Sequence, residues 1–90
     1  MKAKRGDLVR IDWLDILSEN QWQDEASVLK MSLSPCVSYG IFIARKKDEH
    51  GVMCVYITAT TSENDYNDAS VIPYALITNY EVLNGRKKSR

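Results

Sequence analysis

Arg45, Lys46, Lys47 and His50 crowd into six consecutive positions at what reads as the tip of a hairpin, and they are the residues best placed to act on a ligand. Lysine and arginine neutralise phosphates and release counterions, and an aromatic face such as that of Tyr74 stacks on an unpaired base. The cluster is therefore a candidate surface for RNA or single-stranded DNA. Asp48 and Glu49 interrupt it, however, and a Lys-Lys-Asp-Glu turn is also what a hairpin tip carries simply to stay solvated. Both readings stand. The carboxy-terminal group Arg86, Lys87, Lys88 and Arg90 is open in the same way, either a solvated end or an electrostatic arm.

Catalytic and metal chemistry find less to work with. His50 is the single histidine, which removes two-histidine metal sites and leaves any Ser-His-Asp arrangement hanging on one residue of a turn, a poor place for a preorganised pocket. Asp12 and Asp15 are close in sequence, but strand alternation places them on different faces, so they do not converge as an acid and a base. The two cysteines, Cys36 and Cys54, lack CxxC spacing and are too few for a disulfide framework. They read as reduced packing residues. No enzyme, metal or cofactor is expected.

Ninety residues make one domain, and a chain this short buries only about 60–65% of the surface it exposes when unfolded, leaving a modest core. Net charge is zero, yet the charges are grouped. Lys2, Lys4 and Arg5 form a basic amino-terminal tail, residues 1–5, matched by a basic tail over 85–90. Acidic residues gather in two connections, with Asp15, Glu19, Asp24 and Glu25 in one and Glu63, Asp65 and Asp68 in the other. No stretch approaches the roughly 18 apolar residues of a membrane span. A cytoplasmic protein with no membrane partner is expected.

The elements that must position these residues read as strands. Gly6-Asp7 launches Leu8 to Leu14, in which Val9, Ile11 and Trp13 share one face. From Asp15 to Pro35 the alternation fails, and the only helix signal is Asp24 to Leu29 with Asp24 as N-cap. Trp22, too apolar to leave in water, is expected to pin this excursion onto the domain. Cys36 to Thr60 reads as two strands turning near Asp48, which sets Ile41 opposite Val55, Ile43 opposite Met53 and Tyr39 opposite Ile57 as core pairs. Gly40 marks a bend or bulge. The polar stretch from Thr61 to Asp68 reads as a mobile loop, Ser70 to Ile72 as a short strand, Pro73-Tyr74-Ala75 as one tight turn, and Ile77 to Leu83 as the last strand.

The hairpin is apolar on both faces, and a barrel buries only one. Phe42, Ala44, Val52, Cys54 and Tyr56 are left for something else to cover, so a homo-oligomer is expected, with Phe42, Cys54, Tyr56 and Leu83 as candidate interface residues. The strand edges before Pro73 and at the carboxy end are the expected sites of pairing between copies, closing a ring.

Gly6-Asp7-Leu8-Val9 with Trp13-Leu14-Asp15, Trp22, Cys36 to Gly40, and Ile72-Pro73 leading to Ile77 together resemble small phage proteins of the marine cyanophage type. The element order is similar to that of SH3-like and Sm-like barrels, RNA-binding proteins that assemble into rings. That resemblance implies an all-β fold, a five-stranded small barrel with at most a short helix in its first long connection, and the tip loop and Tyr74 on one side. It does not carry over base-specific recognition. Sm proteins typically have an Asp with a nearby Asn between their second and third strands and an Arg-Gly pair between the fourth and fifth, where this chain has Lys46 to Gly51 and Pro73-Tyr74-Ala75. The expected function is a non-enzymatic nucleic-acid-binding ring in RNA or DNA processing. The alternative is a phage structural or protein-interaction module, with no nucleic-acid ligand, that binds through its acidic loops.

Overall fold

The computed structural model describes residues 1–84, so the basic group from Arg86 to Arg90 lies outside the described residues. Five strands, β1 (Leu8–Asp15), β2 (Ser34–Lys47), β3 (Met53–Thr61), β4 (Tyr66–Pro73) and β5 (Ile77–Val82), form one antiparallel sheet in the order β4-β3-β2-β1-β5. A single helix, α1 (Glu25–Val28), sits in the first connection, and a 3₁₀ turn, Tyr74–Leu76, links β4 to β5. The protein is all-β, as its alternation and turn residues predict. β4 and β5 are the two edges of the sheet, joined by the 3₁₀ turn.

Local chemistry explains where the strands begin and turn. Gly6, with φ of 97°, takes the left-handed turn that starts β1, and Lys4 N–H donates to Asp7 Oδ2 at 2.8 Å while Asp7 N–H donates to Lys4 O at 2.9 Å. Residues 1–5 are not a solvated tail. Met1 and Ala3 pack against the core, Lys2 N–H donates to Tyr80 Oη at 2.8 Å, and Gly6 N–H donates to Phe42 O at 2.8 Å. The β2–β3 turn is built by Asp48, whose Oδ1 accepts from His50 N–H at 2.8 Å and Val52 N–H at 3.0 Å, with Gly51 at φ 82° completing the reversal.

That turn centres the hairpin on His50, not Asp48, and changes its pairing. Lys47 faces Met53 and Arg45 faces Val55, where the sequence reading placed Ile43 and Ile41. The register then slips between Ala44, which faces Tyr56, and Phe42, which faces Ile57. Ile43 is the extra residue of a β-bulge, and a one-residue slip exchanges the faces of everything beyond it. Phe42 consequently turns into the core, 6% exposed, beside Val9, Ile11, Val55, Ile57 and Ile72. Tyr39, expected in the core, is 61% exposed on the opposite face.

Gly40 serves a different end from the bend predicted for it. A Cβ on Gly40 would lie 3.1 Å from Ile57 Cβ and 3.1 Å from Thr58 O, so glycine here admits the close approach of β3, while the bulge sits three residues on.

Two further expectations fail for physical reasons. The polar stretch after Thr60 is mostly strand. Only a tight turn, closed by Ser62 N–H donating to Asp65 O at 2.9 Å, separates β3 from β4, and β4 needs no apolar alternation because it is an exposed edge. Asp68, with φ of 57°, interrupts the ladder, and buried Thr58 Oγ1 bridges the gap by donating to Asn67 O at 2.6 Å. In the first connection Asp24 does cap α1, its Oδ1 accepting from Ser27 N–H at 2.8 Å. Yet Trp22 pins nothing and is fully exposed. The β1–β2 ladder runs out to Asp15 and Ser34, so residues 16–33 leave the sheet beyond the end of the core with nothing beneath them.

Candidate functional site

The predicted basic tip does not form one surface. Side chains alternate along β2, so Arg45 and Lys47 share the core side of the sheet with Val55 and Met53, and Lys46 lies on the other side with Cys54. The Arg45 guanidinium sits 5.2 Å from the centre of the Tyr74 ring, at the start of the 3₁₀ turn. Lys46 Nζ sits 5.0 Å from the Tyr56 ring and donates to Lys47 O at 2.9 Å. His50 stays out at the turn with its Nε2 3.3 Å from Glu49 Oε2. The structure thus brings Arg45 and Tyr74 together, sets Lys46 against a different tyrosine, and leaves His50 apart from both.

The proposed interface residues divide likewise. Phe42 and Cys54 are buried within their own chain and offer a second copy no surface: the bulge turns Phe42 into the core, and Cys54, on the other side of the sheet, is covered where β3 fits between β2 and β4. Tyr56 and Leu83 remain half-buried at the surface, with Leu83 N–H donating to Leu8 O at 2.7 Å. Both cysteines are free; Cys36 faces Trp13 and Cys54 faces Lys46 and Pro73, so neither can reach the other.

What the register creates is a second apolar sheet face with a different membership from the predicted one. Leu8 and Arg10 from β1, Tyr39, Ile41 and Ile43 from β2, Tyr56 from β3 and Val71 from β4 all lie on it. Between Ile43, Tyr56, Thr58, Tyr66, Ala69 and Val71 runs an apolar groove of about 300 Å³. Arg5 reaches over this face, its Nη2 donating to Tyr66 Oη at 2.6 Å with the guanidinium 6.0 Å from the ring centre. Lys46 closes the Tyr56 end. Arg10 is held by Asp12, Nε to Oδ1, at 3.0 Å.

Tyr56 and Tyr66, each with a cation against its ring, flank the groove, and Tyr39 stands on the same face, so this surface can stack planar groups and neutralise anionic ones. Arg5, Tyr39 and Tyr66 were not legible as site residues. Nothing in their spacing marks them, because the bulge that turns Tyr39 outward and the β4 edge that carries Tyr66 have no sequence signature of their own.

For other chemistry the surface is poor. Among the described residues no group of three or more His, Cys, Asp or Glu is placed to hold a metal ion, and no helix is long and apolar enough to cross a membrane. Compared with protein-family models, curated proteins and solved structures, the chain matches none.

Proposed function

We propose that this protein is a non-enzymatic binding module that takes up single-stranded nucleic acid across the outer face of its sheet. One observation carries the reading: Tyr39, Tyr56 and Tyr66 stand on a solvent-facing sheet surface, with Lys46 and Arg5 drawn up against two of the rings. Bases stack on exposed aromatic rings whatever their identity, while lysine and arginine beside the rings meet the phosphates, so the binding is tolerant of sequence. The site is the sheet face and not the hairpin tip. Arg45 with Tyr74 lies on the other side of the sheet, with Lys47, and is not part of it.

Fluorescence anisotropy with labelled oligo-dT and oligo-U tests this. Tyr39→Ala raises the dissociation constant about 5- to 150-fold, the equivalent of one lost stacking contact of about 1–3 kcal/mol. Lys46→Ala flattens the salt slope by about 0.7, one phosphate contact on a single strand, while Lys47→Ala, on the other side of the sheet, leaves it unchanged. Equal effects of Lys46 and Lys47 with none from Tyr39 would return the site to the turn and refute the sheet-face reading.

The second reading is a protein-interaction module without a nucleic-acid ligand. It is favoured by the arm over residues 16–33, where Ile16, Trp22 and Leu29 are each exposed. Binding that ignores oligonucleotides and survives high salt would support it, since apolar contacts are not screened.

A further inference from the structure

The arm and the groove are each incomplete alone. α1 is a one-turn helix with no buried residue, and Val28 and Leu29 at its end face solvent. Isolated helices shorter than about 12–15 residues are marginal in water, so a single turn is normally held by what it packs against. Trp22, one residue before the Gln23-Asp24 entry to that helix, is fully exposed. Across the molecule, the outer face leaves an apolar groove open between Tyr56, Tyr66 and Val71. Its volume of about 300 Å³ is of the size that encloses a small ligand or one large side chain.

We infer that the arm of one copy docks Trp22 into the outer-face groove of a second copy. Charge selects this occupant. Residues 16–33 carry Glu19, Asp24 and Glu25 against the lone Lys30, an acidic segment, while the cations that stand over the groove are Arg5 and Lys46. The turn beside Tyr66 holds Glu63 and Asp65, so the acidic arm enters from the Lys46 end. Within one copy the arm does not fill its own groove: Trp22 is fully exposed and none of residues 16–33 lines it. Two copies exchanging arms satisfy both surfaces at once and close as a symmetric dimer.

Self-association by this route does not rest on the nucleic-acid reading. The two share one face, so a bound strand displaces the arm.

Sedimentation equilibrium on nucleic-acid-free protein, with Trp22→Ser and Val71→Glu, tests the inference. Both side chains are exposed in the single copy, so neither substitution disturbs its fold. The wild type dimerises, and each variant weakens that dimer at least about 30-fold, as loss of a central tryptophan anchor does. Mixing the two variants restores a heterodimer through the one intact arm and the one intact groove. A wild type that stays monomeric, a dimer indifferent to Trp22, or a mixture that fails to associate would each overturn the inference. Oligonucleotide binding by Trp22→Ser, measured separately, reports on the nucleic-acid reading whichever way the mass falls.

Discussion

Replacing Phe42 and Tyr39 in turn, each by alanine, separates the two possible faces of β2. Without the bulge at Ile43, Tyr39 would be a core residue and Phe42 a surface one; with it, Phe42 is 6% exposed among Val9, Ile11, Val55 and Ile57, and Tyr39 is 61% exposed. Phe42→Ala removes a fully packed ring and leaves a cavity, a cost of about 3–5 kcal/mol. A ninety-residue domain has roughly 5–13 kcal/mol in all, so this one change leaves it close to unfolding. Tyr39→Ala takes away a ring that is mostly in water, and its stability stays within about 0.5 kcal/mol of the wild type. Urea unfolding followed by circular dichroism reads both. Phe42→Leu, which keeps most of the volume, supplies a measurable midpoint if Phe42→Ala does not fold. A costly Tyr39→Ala beside a tolerated Phe42→Ala would refute the bulge and, with it, the outer face described above.

Three further outcomes follow from particular contacts. Gly40→Ala forces a methyl to within 3.1 Å of Ile57 Cβ and Thr58 O, neither of them the free end of a flexible chain, and lowers the thermal midpoint by the equivalent of about 1–2 kcal/mol; an unchanged midpoint would show that β3 does not approach so closely. Asp68→Val places a β-branched residue at φ 57° and costs about 1–2 kcal/mol in thermal unfolding, whereas Asp68→Gly stays within about 0.5 kcal/mol, and equal effects would remove the left-handed kink from β4. The Asp24 carboxyl is held below its ordinary value by the side-chain and backbone hydrogen bonds it takes from Ser27, so its capping contribution is present above the unfolded value and is lost as pH falls through the folded one. Acid titration of the Ser27 amide shift should follow that loss in the wild type and be flat in Asp24→Ala.

Residues that state their own conformation were readable from sequence. Gly6 and Asp7 name a turn, Asp24 names a helix start, Pro73 ends a strand, and the alternation of Val9, Ile11 and Trp13 orients β1. These are local rules, and the five-strand sheet follows from them. The candidate site was not readable, because it depends on one non-local accident of pairing. Ile41, Ile43, Phe42 and Ala44 are apolar alike, so no polar residue marks which side of β2 is wet, and an inserted bulge costs the pattern nothing. Trp22 misled for the opposite reason. Its type demands cover, but nothing in its own chain lies beneath the arm to supply it.

The central claim is that the outer sheet face, and not the hairpin tip, receives single-stranded nucleic acid. Titrating isotope-labelled protein with oligo-dT and oligo-U while recording amide and tyrosine ring shifts addresses it residue by residue. The account predicts that the largest changes map to Tyr39, Tyr56, Tyr66, Lys46 and Arg5. Changes confined to Lys47, Asp48 and His50, or none at all at the highest oligonucleotide concentration, would contradict it.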